Sequence, residues 1–499
     1  MRYIDYMQLN PFQRFGYNFV QFFKKLPGNV ARFFKLVGLA IVNFFVGIGK
    51  GFANYGTRFV KGGVGVKISY VIFGVGNIVK GQIVKGLLFF MTEVAYICYM
   101  VFFGINYISK FGTLGDKLMT TEIDADGFPV TVEGDNSMLI LLYSVLTIVI
   151  TIIVFAIYIA NTKSAYKVEQ LKKNGKAVPT FMQELKQFAD EKFHVSLMSL
   201  PCILIGCFTI LPLIFMILIA FTNYDSSHQV PKHLFTWVGL QNFADLVNVT
   251  EGAKKGITFL GLTEWTIIWA IFATFTNYIL GMVVALMINK KGIKLKSLWR
   301  TLFVVVIAVP QFVSLLLMSQ ILATNGALNI LLSNITGQQI EFDFLGASPL
   351  IAKITVIIVN MWIGIPYTIL ITSGILMNIP ADLYESATID GAGPVRSFMS
   401  ITLPYMLFVT TPYLITSFIG NINNFNVIFL LTGGGPSNVD YYNAGHTDIL
   451  VTWLFNLTMS KNDYSLAAAI GILVFIVCAS LSLITFNLTK SAKDEEAFS

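Results

Sequence analysis

Uncharged polar side chains inside two strongly apolar segments are the residues of this sequence best suited to recognise a ligand. Asn360, Gly364 and Tyr367 follow at i, i+4 and i+7, which is one face of a helix. Asn421 and Asn424 share a face at i and i+3 of a later segment. Amides and a phenol exchange hydrogen bonds without carrying charge, and an aromatic ring covers an apolar surface. This chemistry suits an uncharged molecule rich in hydroxyl groups, such as a sugar.

Sequence patterns that support catalysis or metal binding are missing. No Gly-x-x-x-x-Gly-Lys-Ser/Thr loop occurs, so ATP hydrolysis would require another chain. The histidines have no ligand spacing, and the cysteines lie in apolar blocks without a disulfide framework. We expect a protein that is not an enzyme and that binds no cofactor or metal itself.

Membrane-spanning helices must position the asparagines. The chain has 499 residues, of which 55% are hydrophobic and only 12% charged, whereas soluble domains carry about 25% charged residues. Its apolar blocks run to roughly 20 residues or more, enough for a helix to cross about 30 Å of hydrocarbon. Their lack of alternation argues against a barrel. We predict an all-α membrane protein with eight spans: 86–108, 137–160, 198–222, 264–288, 301–323, 350–376, 406–431 and 466–488.

The distribution of lysine and arginine predicts the orientation of these spans. Residues 1–85 hold 12 basic residues and residues 161–197 hold 7, whereas all the predicted external loops together hold 6. Because cytoplasmic loops are enriched in Lys and Arg, we predict a multi-pass protein of the cell membrane with both termini in the cytoplasm. Basic residues split among membrane-flanking loops do not indicate nucleic-acid binding.

Residues 1–85 form a distinct basic region ahead of the first span. An apolar stripe at helical spacing runs from Phe12 to Phe59, and Asp5 is the only acid among the 12 basic residues. This pattern predicts amphipathic helices in the inner membrane surface that contact membrane lipids. Packing against a helix of another subunit is the alternative. The rest of the chain divides into 86–197 (two spans and a cytoplasmic loop), 198–490 (the core) and 491–499 (a cytoplasmic tail).

The predicted cytoplasmic loop 380–404 lacks the enrichment in Lys and Arg that is expected of cytoplasmic loops. It carries Asp382, Glu385 and Asp390 against a single basic residue, Arg396. Its composition predicts a compact helix–turn–helix with acid at its tip, which suits a cleft lined by basic and apolar side chains. An ordinary acidic hairpin loop is the alternative.

The turn residues of this loop predict its helix boundaries. Pro380 suits the first turn of a helix over Ala381–Asp390, and Gly391 can adopt the left-handed conformation that stops it. A second helix from Val395 would continue into the next span and break at Pro404.

This loop resembles the EAA loop of ABC importer permeases, whose signature is Glu-Ala-Ala, three residues, Gly, nine residues, Ile-x-Leu-Pro. Glu385-Ser-Ala, Gly391 and Ile401-Thr-Leu-Pro occupy those positions, with Ser386 in place of the first Ala. The resemblance implies that Ala381–Asp390 is a coupling helix seated in a separate ATPase subunit. It assigns that coupling role to Tyr384, Glu385, Ser386, Ala387, Asp390 and Gly391.

Within this family, residues 198–490 are similar to the larger permease subunit of maltose/maltodextrin importers. Five stretches carry the similarity: Asn360-Met-Trp-Ile-Gly-Ile-Pro-Tyr, Asn421-Ile-Asn-Asn-Phe, Leu430-Leu-Thr-Gly-Gly-Gly-Pro, Ala444-Gly-His-Thr-Asp-Ile-Leu-Val and Leu466-Ala-Ala-Ala-Ile. The short loop after the third span resembles the Gram-positive form. The resemblance implies the type I importer permease fold. It also implies three partners: a second permease subunit, an ABC ATPase dimer that binds ATP and Mg, and an extracellular sugar-binding lipoprotein.

The resemblance further implies a set of substrate contacts: Ile307, Gln311, Asn360, Ile363, Gly364, Tyr367, Gly420, Asn421 and Asn424. Ile307, Gln311 and Gly420 stand where the resembled permease has Tyr, Ser and Phe. The loss of two aromatic side chains widens or flattens the site. The resemblance as a whole implies maltose or maltodextrin, with a raffinose-type or multiple-sugar permease as the alternative. The asparagines also admit a second interpretation, in which they only hold helices together.

Two other classes of membrane protein remain as alternatives. An ion-coupled transporter would need paired charges within spans and an inverted repeat, and Glu93 is the one candidate charge. Glu93 lies close to Lys85, so pairing or snorkelling is favoured over a proton relay. A membrane-anchored scaffold or receptor would not need asparagine-lined spans. The leading hypothesis is a sugar-importer permease.

Overall fold

The computed structural model describes residues 50–488 except 124, 125, 127, 251 and 291, together with isolated residues between 35 and 49. Most of the predicted interfacial stripe and the tail 491–499 therefore lie outside the described residues. The described residues form two compact units, one within Arg32–Gly239 and one within Leu240–Ser499.

Seven described helices are long and apolar enough to cross a membrane, and a bent helix pair makes an eighth span if it is counted as one. The prediction of an all-α protein with about eight spans is confirmed. In chain order, the first to eighth spans are Ile83–Ser109, Ser137–Lys173, Phe193–Ile219, Lys254–Asn289, the pair Lys296–Ala308 with Gln311–Ile321, Pro349–Met377, Pro394–Ile422 and Tyr464–Leu483.

The fifth span is not the continuous helix predicted over 301–323. It ends at Ala308 and resumes at Gln311 with a bend of 87°. Pro310 causes this break, because it has no N–H and forces the residue before it out of the helical conformation. Val309 accordingly has φ −79° and ψ 125°.

The seventh span also differs from its predicted limits, 406–431. It begins at Pro394, passes through a π turn at Phe398–Thr402 and ends at Ile422. A separate helix follows at Phe425–Thr432. The predicted break at Pro404 is wrong, because the wider π turn directly before it accommodates a residue that cannot donate a backbone hydrogen bond.

In the unit Arg32–Gly239, short elements surround the first three spans. They are the helices Val64–Ile68, Val75–Val79 and Phe181–Ala189, and the antiparallel strands Thr120–Ile123 and Pro129–Val132. Glu93 accepts a 2.8 Å hydrogen bond from the backbone of Phe73, while Lys85 pairs with Glu184 at 2.7 Å. Glu93 therefore caps a backbone N–H and does not pair with Lys85.

In the unit Leu240–Ser499, the fourth span packs against the sixth and seventh. Trp269 and Ala273 of the fourth span meet Val356 and Val359 of the sixth in the largest described part of this core. The remaining helices are Gln241–Val247, Ala327–Thr336, Ala381–Ile389, Phe425–Thr432 and Leu450–Met459. This packing fixes the helix faces on which the predicted ligand-binding asparagines lie.

Candidate functional site

The predicted coupling segment, residues 380–404, begins with an isolated helix over Ala381–Ile389. Asp390 caps this helix, and Gly391 has φ +74°. The backbone N–H of Ala392 donates to the carbonyl of Ala387 at 2.8 Å, and that of Gly391 to Thr388 at 3.1 Å. These two bonds form a Schellman stop, which needs a left-handed residue. The predicted role of Gly391 in stopping the helix is confirmed.

One side-chain hydrogen bond holds this helix to the seventh span. The hydroxyl oxygen of Tyr384 lies 2.8 Å from Oγ1 of Thr402, in the π turn. Tyr384 and Ala387 are half-buried, whereas the other residues of the helix are exposed. Two of the predicted coupling residues therefore anchor the helix, while Glu385 and Ser386 face outward.

The outward face of the segment mixes acidic and apolar side chains. Asp382, Glu385 and Asp390 are exposed, and Ile389 and Val395 are 87% and 74% exposed. Exposed apolar area costs about 25 cal/mol per Å² relative to burial. A face of this kind therefore gains stability by docking into a partner that offers apolar and basic side chains.

A second group of polar residues lies between the fourth, sixth and seventh spans. We call it the in-span polar cluster, and it comprises Thr274, Asn277, Asn360, Gly364, Asn421 and Asn424. The amide of Asn421 donates to Oγ1 of Thr274 at 3.0 Å, and the amide of Asn424 donates to Oδ1 of Asn421 at 3.2 Å. The indole N–H of Trp269 donates to the main-chain carbonyl of Asn421 at 3.0 Å.

Asn421 and Asn424 are adjacent, but they do not share a helix as predicted. The helix ends at Ile422, and Asn424 caps the next helix by accepting a 3.4 Å hydrogen bond from the backbone of Val427. The two amides are brought together by the turn between the two helices. They do not lie one turn apart on a single helix. The break also exposes backbone groups at a helix start beside the cluster.

Two amides of the cluster have unused hydrogen-bonding capacity. Asn360 is 4% exposed, and its Nδ2 has no acceptor among the described residues. Oδ1 of Asn277 likewise has no donor there. A buried polar atom left unpaired costs about 1–3 kcal/mol. The fourth and sixth spans, which pack against each other, each carry one such buried and unpaired group.

Gly364 allows Asn277 to approach the sixth span. A Cβ at Gly364 would lie 2.1 Å from Nδ2 of Asn277, so any larger residue would displace that amide. Sequence reasoning missed Asn277 and Thr274, although both lie in the fourth span with an i, i+3 spacing. This spacing could have indicated a site only if the neighbouring sixth span had been known to pack against it.

The other predicted substrate contacts are not joined to the cluster by described hydrogen bonds. Tyr367 is 47% exposed, and Ile363 packs against the core that contains Trp269. Ile307 and Gln311 flank the bend in the fifth span. Gly420 faces open space, because a Cβ added to it would have no described atom within 4 Å.

Seven or eight helices able to span a membrane, an uncharged polar cluster among three of them and the exposed helix Ala381–Ile389 match the class of polytopic membrane permeases. Residues 277–493 match the family model described as "Binding-protein-dependent transport system inner membrane component". The chain belongs to this family, the permease subunits of ABC importers, and has the type I importer permease fold.

Three relatives of known role illustrate the family. The chain is 32% identical to the galactooligosaccharides transport system permease protein GanP of Bacillus subtilis, over 85% of this chain and 97% of the relative. It is 33% identical to the maltodextrin permease protein MdxF of the same organism, over 85% and 95%. Identity to the maltose/maltodextrin permease protein MalF of Escherichia coli is 34%, over 54% and 52%.

Proposed function

We propose that this permease carries an oligosaccharide into the cytoplasm, with maltodextrin as the expected substrate, and that ATP hydrolysis in a separate subunit drives it. The exposed helix Ala381–Ile389 carries the proposal, because it offers an acidic and apolar face to a partner and is fixed to a span through Tyr384. A raffinose-type, multiple-sugar or galactooligosaccharide substrate is the alternative, since relatives of similar identity carry different sugar names.

The in-span polar cluster supports an uncharged polyhydroxylated cargo. Its free groups are the amide N–H of Asn360 and the carbonyl oxygen of Asn277, one donor and one acceptor. Sugar hydroxyls both donate and accept, so they can pair with either group. Tyr367 and Gly420 supply an exposed ring and open space nearby on the same two helices as Asn360 and Asn421.

The proposed assembly follows from the coupling segment. An ATPase dimer would bind ATP and Mg and seat the helix Ala381–Ile389, a second permease subunit would complete the pathway, and an extracellular lipoprotein would deliver the sugar. Both termini and the coupling segment lie in the cytoplasm in this arrangement. Glu385 and Asp390 would contact basic groups of the ATPase.

Uptake in a strain that lacks this chain tests the substrate. Labelled maltose, maltotriose, raffinose and a galactooligosaccharide would be supplied separately, with and without the gene restored. We expect maltotriose uptake to be restored and to require ATP. Restored uptake of another sugar alone would overturn the maltodextrin assignment and leave the importer assignment standing.

Purification from mild detergent tests the assembly. We expect an ABC ATPase and a second permease to co-purify with the full chain. Sodium- or proton-driven uptake by the purified chain alone would contradict the proposal, because an ATP-driven permease needs its partners for energy.

A further inference from the structure

A cavity of about 220 Å³ lies between the end of the second span and the helix Phe181–Ala189. Lysines dominate its charged lining: Lys85, Lys163, Lys167 and Lys192. Glu184 is the only carboxylate among the described residues that line it. The cavity lies within the unit Arg32–Gly239 and shares no residue with the coupling segment or the in-span polar cluster.

Glu184 is already engaged. Its Oε2 lies 2.7 Å from Nζ of Lys85, and its Oε1 accepts a 3.1 Å hydrogen bond from the amide of Gln82. The same Gln82 amide donates to the carbonyl of Pro179 at 2.8 Å, which fixes this side of the cavity. Glu184 therefore neutralises Lys85 and leaves the other three lysines uncompensated.

The three remaining lysines face the cavity without a carboxylate partner. Across the described part of the chain, no carboxylate oxygen lies within 4 Å of Nζ in Lys163, Lys167 or Lys192. Nζ of Lys192 lies 5.3 Å from the centre of the Phe188 ring. Three like charges around one cavity repel each other, so an anion bound between them lowers the electrostatic energy.

The cavity has the position of a membrane head-group layer. Its lining runs along the second span from Ala160, the last residue of the predicted apolar block, to Leu171. The 11 helical steps from Ala160 to Leu171 rise about 16 Å, at least about twice the thickness of the polar layer on one side of a bilayer, so the lining begins in this layer and extends beyond it. With the predicted orientation, this layer belongs to the inner leaflet, where anionic lipids attract basic residues.

The helix beside the cavity also presents apolar side chains. Met182, Leu185 and Phe188 are 60%, 50% and 42% exposed at three-residue steps. Apolar residues on one side of a short helix with lysines beside them are typical of contact with lipid. A free anion would find the lysines but would leave this apolar edge uncovered.

We infer that this cavity binds the phosphate head group of an anionic phospholipid of the inner leaflet. Lys163, Lys167 and Lys192 neutralise the phosphate, and the edge formed by Met182, Leu185 and Phe188 lies against the acyl chains. The inference goes beyond the proposed function, because neither sugar transport nor ATPase docking uses these residues.

Native mass spectrometry of the purified full chain tests this site, with phosphatidylglycerol, phosphatidylcholine and inorganic phosphate as separate probes. The test variant is Lys163→Gln/Lys167→Gln/Lys192→Gln. The matched control is Lys172→Gln/Lys176→Gln/Lys186→Gln, which removes the same charge from exposed lysines of the same loop outside the cavity. Gel filtration of both variants checks that they remain folded.

We expect the apparent affinity for phosphatidylglycerol to fall by at least about tenfold in the test variant, since each lysine near a lipid surface contributes about 1 kcal/mol, or about fivefold. The control should change by less, because its three lysines do not line the cavity. Three outcomes would overturn the inference: equal losses in both variants, equal binding of phosphatidylcholine, or displacement of phosphatidylglycerol by inorganic phosphate.

Discussion

The hydroxyl groups of Tyr384 and Thr402 lie 2.8 Å apart and join the exposed helix Ala381–Ile389 to the seventh span. The same span carries Asn421 close to its other end, where the in-span polar cluster begins. In the proposed coupling mechanism, a force on the exposed helix would reach the candidate sugar site through this hydrogen bond, the turn 390–393 and the seventh span. Thr402 lies in the π turn, the point at which that helix is least regular.

Removal of this hydrogen bond should uncouple ATP hydrolysis from transport. Tyr384→Phe and Thr402→Val each delete one partner, and a hydrogen bond of this kind contributes about 1 kcal/mol net. We expect each variant of the assembled importer to transport several-fold less sugar per ATP hydrolysed. The double variant should be no worse than either single variant, because both remove one interaction. Additive losses would show that the two hydroxyl groups act independently.

The left-handed conformation of Gly391 makes it sensitive to substitution. With φ at +74°, any side chain is strained by about 1 kcal/mol, and Gly391→Ala should reduce transport. Gly391→Asp, which places a charged side chain at the docking tip, should abolish transport while the chain still inserts in the membrane.

Gly393 provides the matched control for this change. It lies two residues away with φ −69° and no atom within 4 Å of an added Cβ. Gly393→Ala should therefore leave uptake close to that of the unchanged chain. Normal uptake by Gly391→Asp, measured with labelled sugar, would count against the coupling role of this turn.

Asn360 distinguishes a sugar site from simple helix packing. Its buried Nδ2 has no acceptor among the described residues, so Asn360→Leu should leave thermal stability in detergent unchanged or raise it. The same variant should lose at least about tenfold in uptake, because a buried site group that pairs with a substrate hydroxyl contributes strongly to recognition. A clear loss of stability with normal uptake would assign Asn360 to helix packing.

Gly364 tests the place of Asn277 in the site. An added Cβ would meet Nδ2 of Asn277, the end of a side chain that can rotate away, so Gly364→Ala should fold and should raise the KM for sugar. Gly374→Ala is the control, because Gly374 lies in the same helix with no atom within 4 Å of an added Cβ. Equal KM values for the two variants would remove Asn277 from the site.

The raised pKa of Asp448 predicts that the stability of the loop 433–449 depends on pH. Burial raises the pKa of its carboxyl group, against hydrogen bonds from the Gly445 N–H and the Thr452 hydroxyl, which lower it. The folded loop then binds a proton more readily than the unfolded chain. Its stability should therefore fall as pH rises from the ordinary carboxyl range through the raised pKa.

Hydrogen exchange of residues 433–449, corrected for intrinsic rates, measures this dependence. Protection should decrease with rising pH in the unchanged chain and in Asp440→Asn, which alters an exposed carboxylate of the same loop. Asp448→Asn should remove the dependence. Protection that increases with pH would contradict the direction of the pKa shift.

Sequence patterns predicted the features that depend only on residues close together in the chain. Gly391 stops its helix because a left-handed residue is cheapest as glycine, and the long apolar blocks became spans. The bend at Pro310 follows an equally local rule, yet the continuous apolar block around it favoured one straight helix. Hydropathy predicts that a segment lies in the membrane, but it does not show whether the helix in that segment is continuous.

The polar cluster could be predicted only in part. The sequence identified four of its members as polar or small residues within spans: Asn360, Gly364, Asn421 and Asn424. Asn277 could be assigned to the cluster only from its contact with Gly364 on another helix. The strands Thr120–Ile123 and Pro129–Val132 were also missed, since Val130 and Val132 are too short an apolar alternation to predict a strand within an acidic segment. Both cases depend on pairing between segments, which a single sequence does not specify.

A site-specific crosslink from the exposed helix tests the central claim most directly. A photoreactive group at Glu385 of the assembled importer would be activated with and without ATP, with a second probe at the exposed Lys232 of the predicted external loop as a control. The account predicts that the Glu385 probe captures the ATPase subunit and that the yield changes with nucleotide. A Glu385 probe that never reaches a nucleotide-hydrolysing subunit, in a complex that transports sugar, would contradict it.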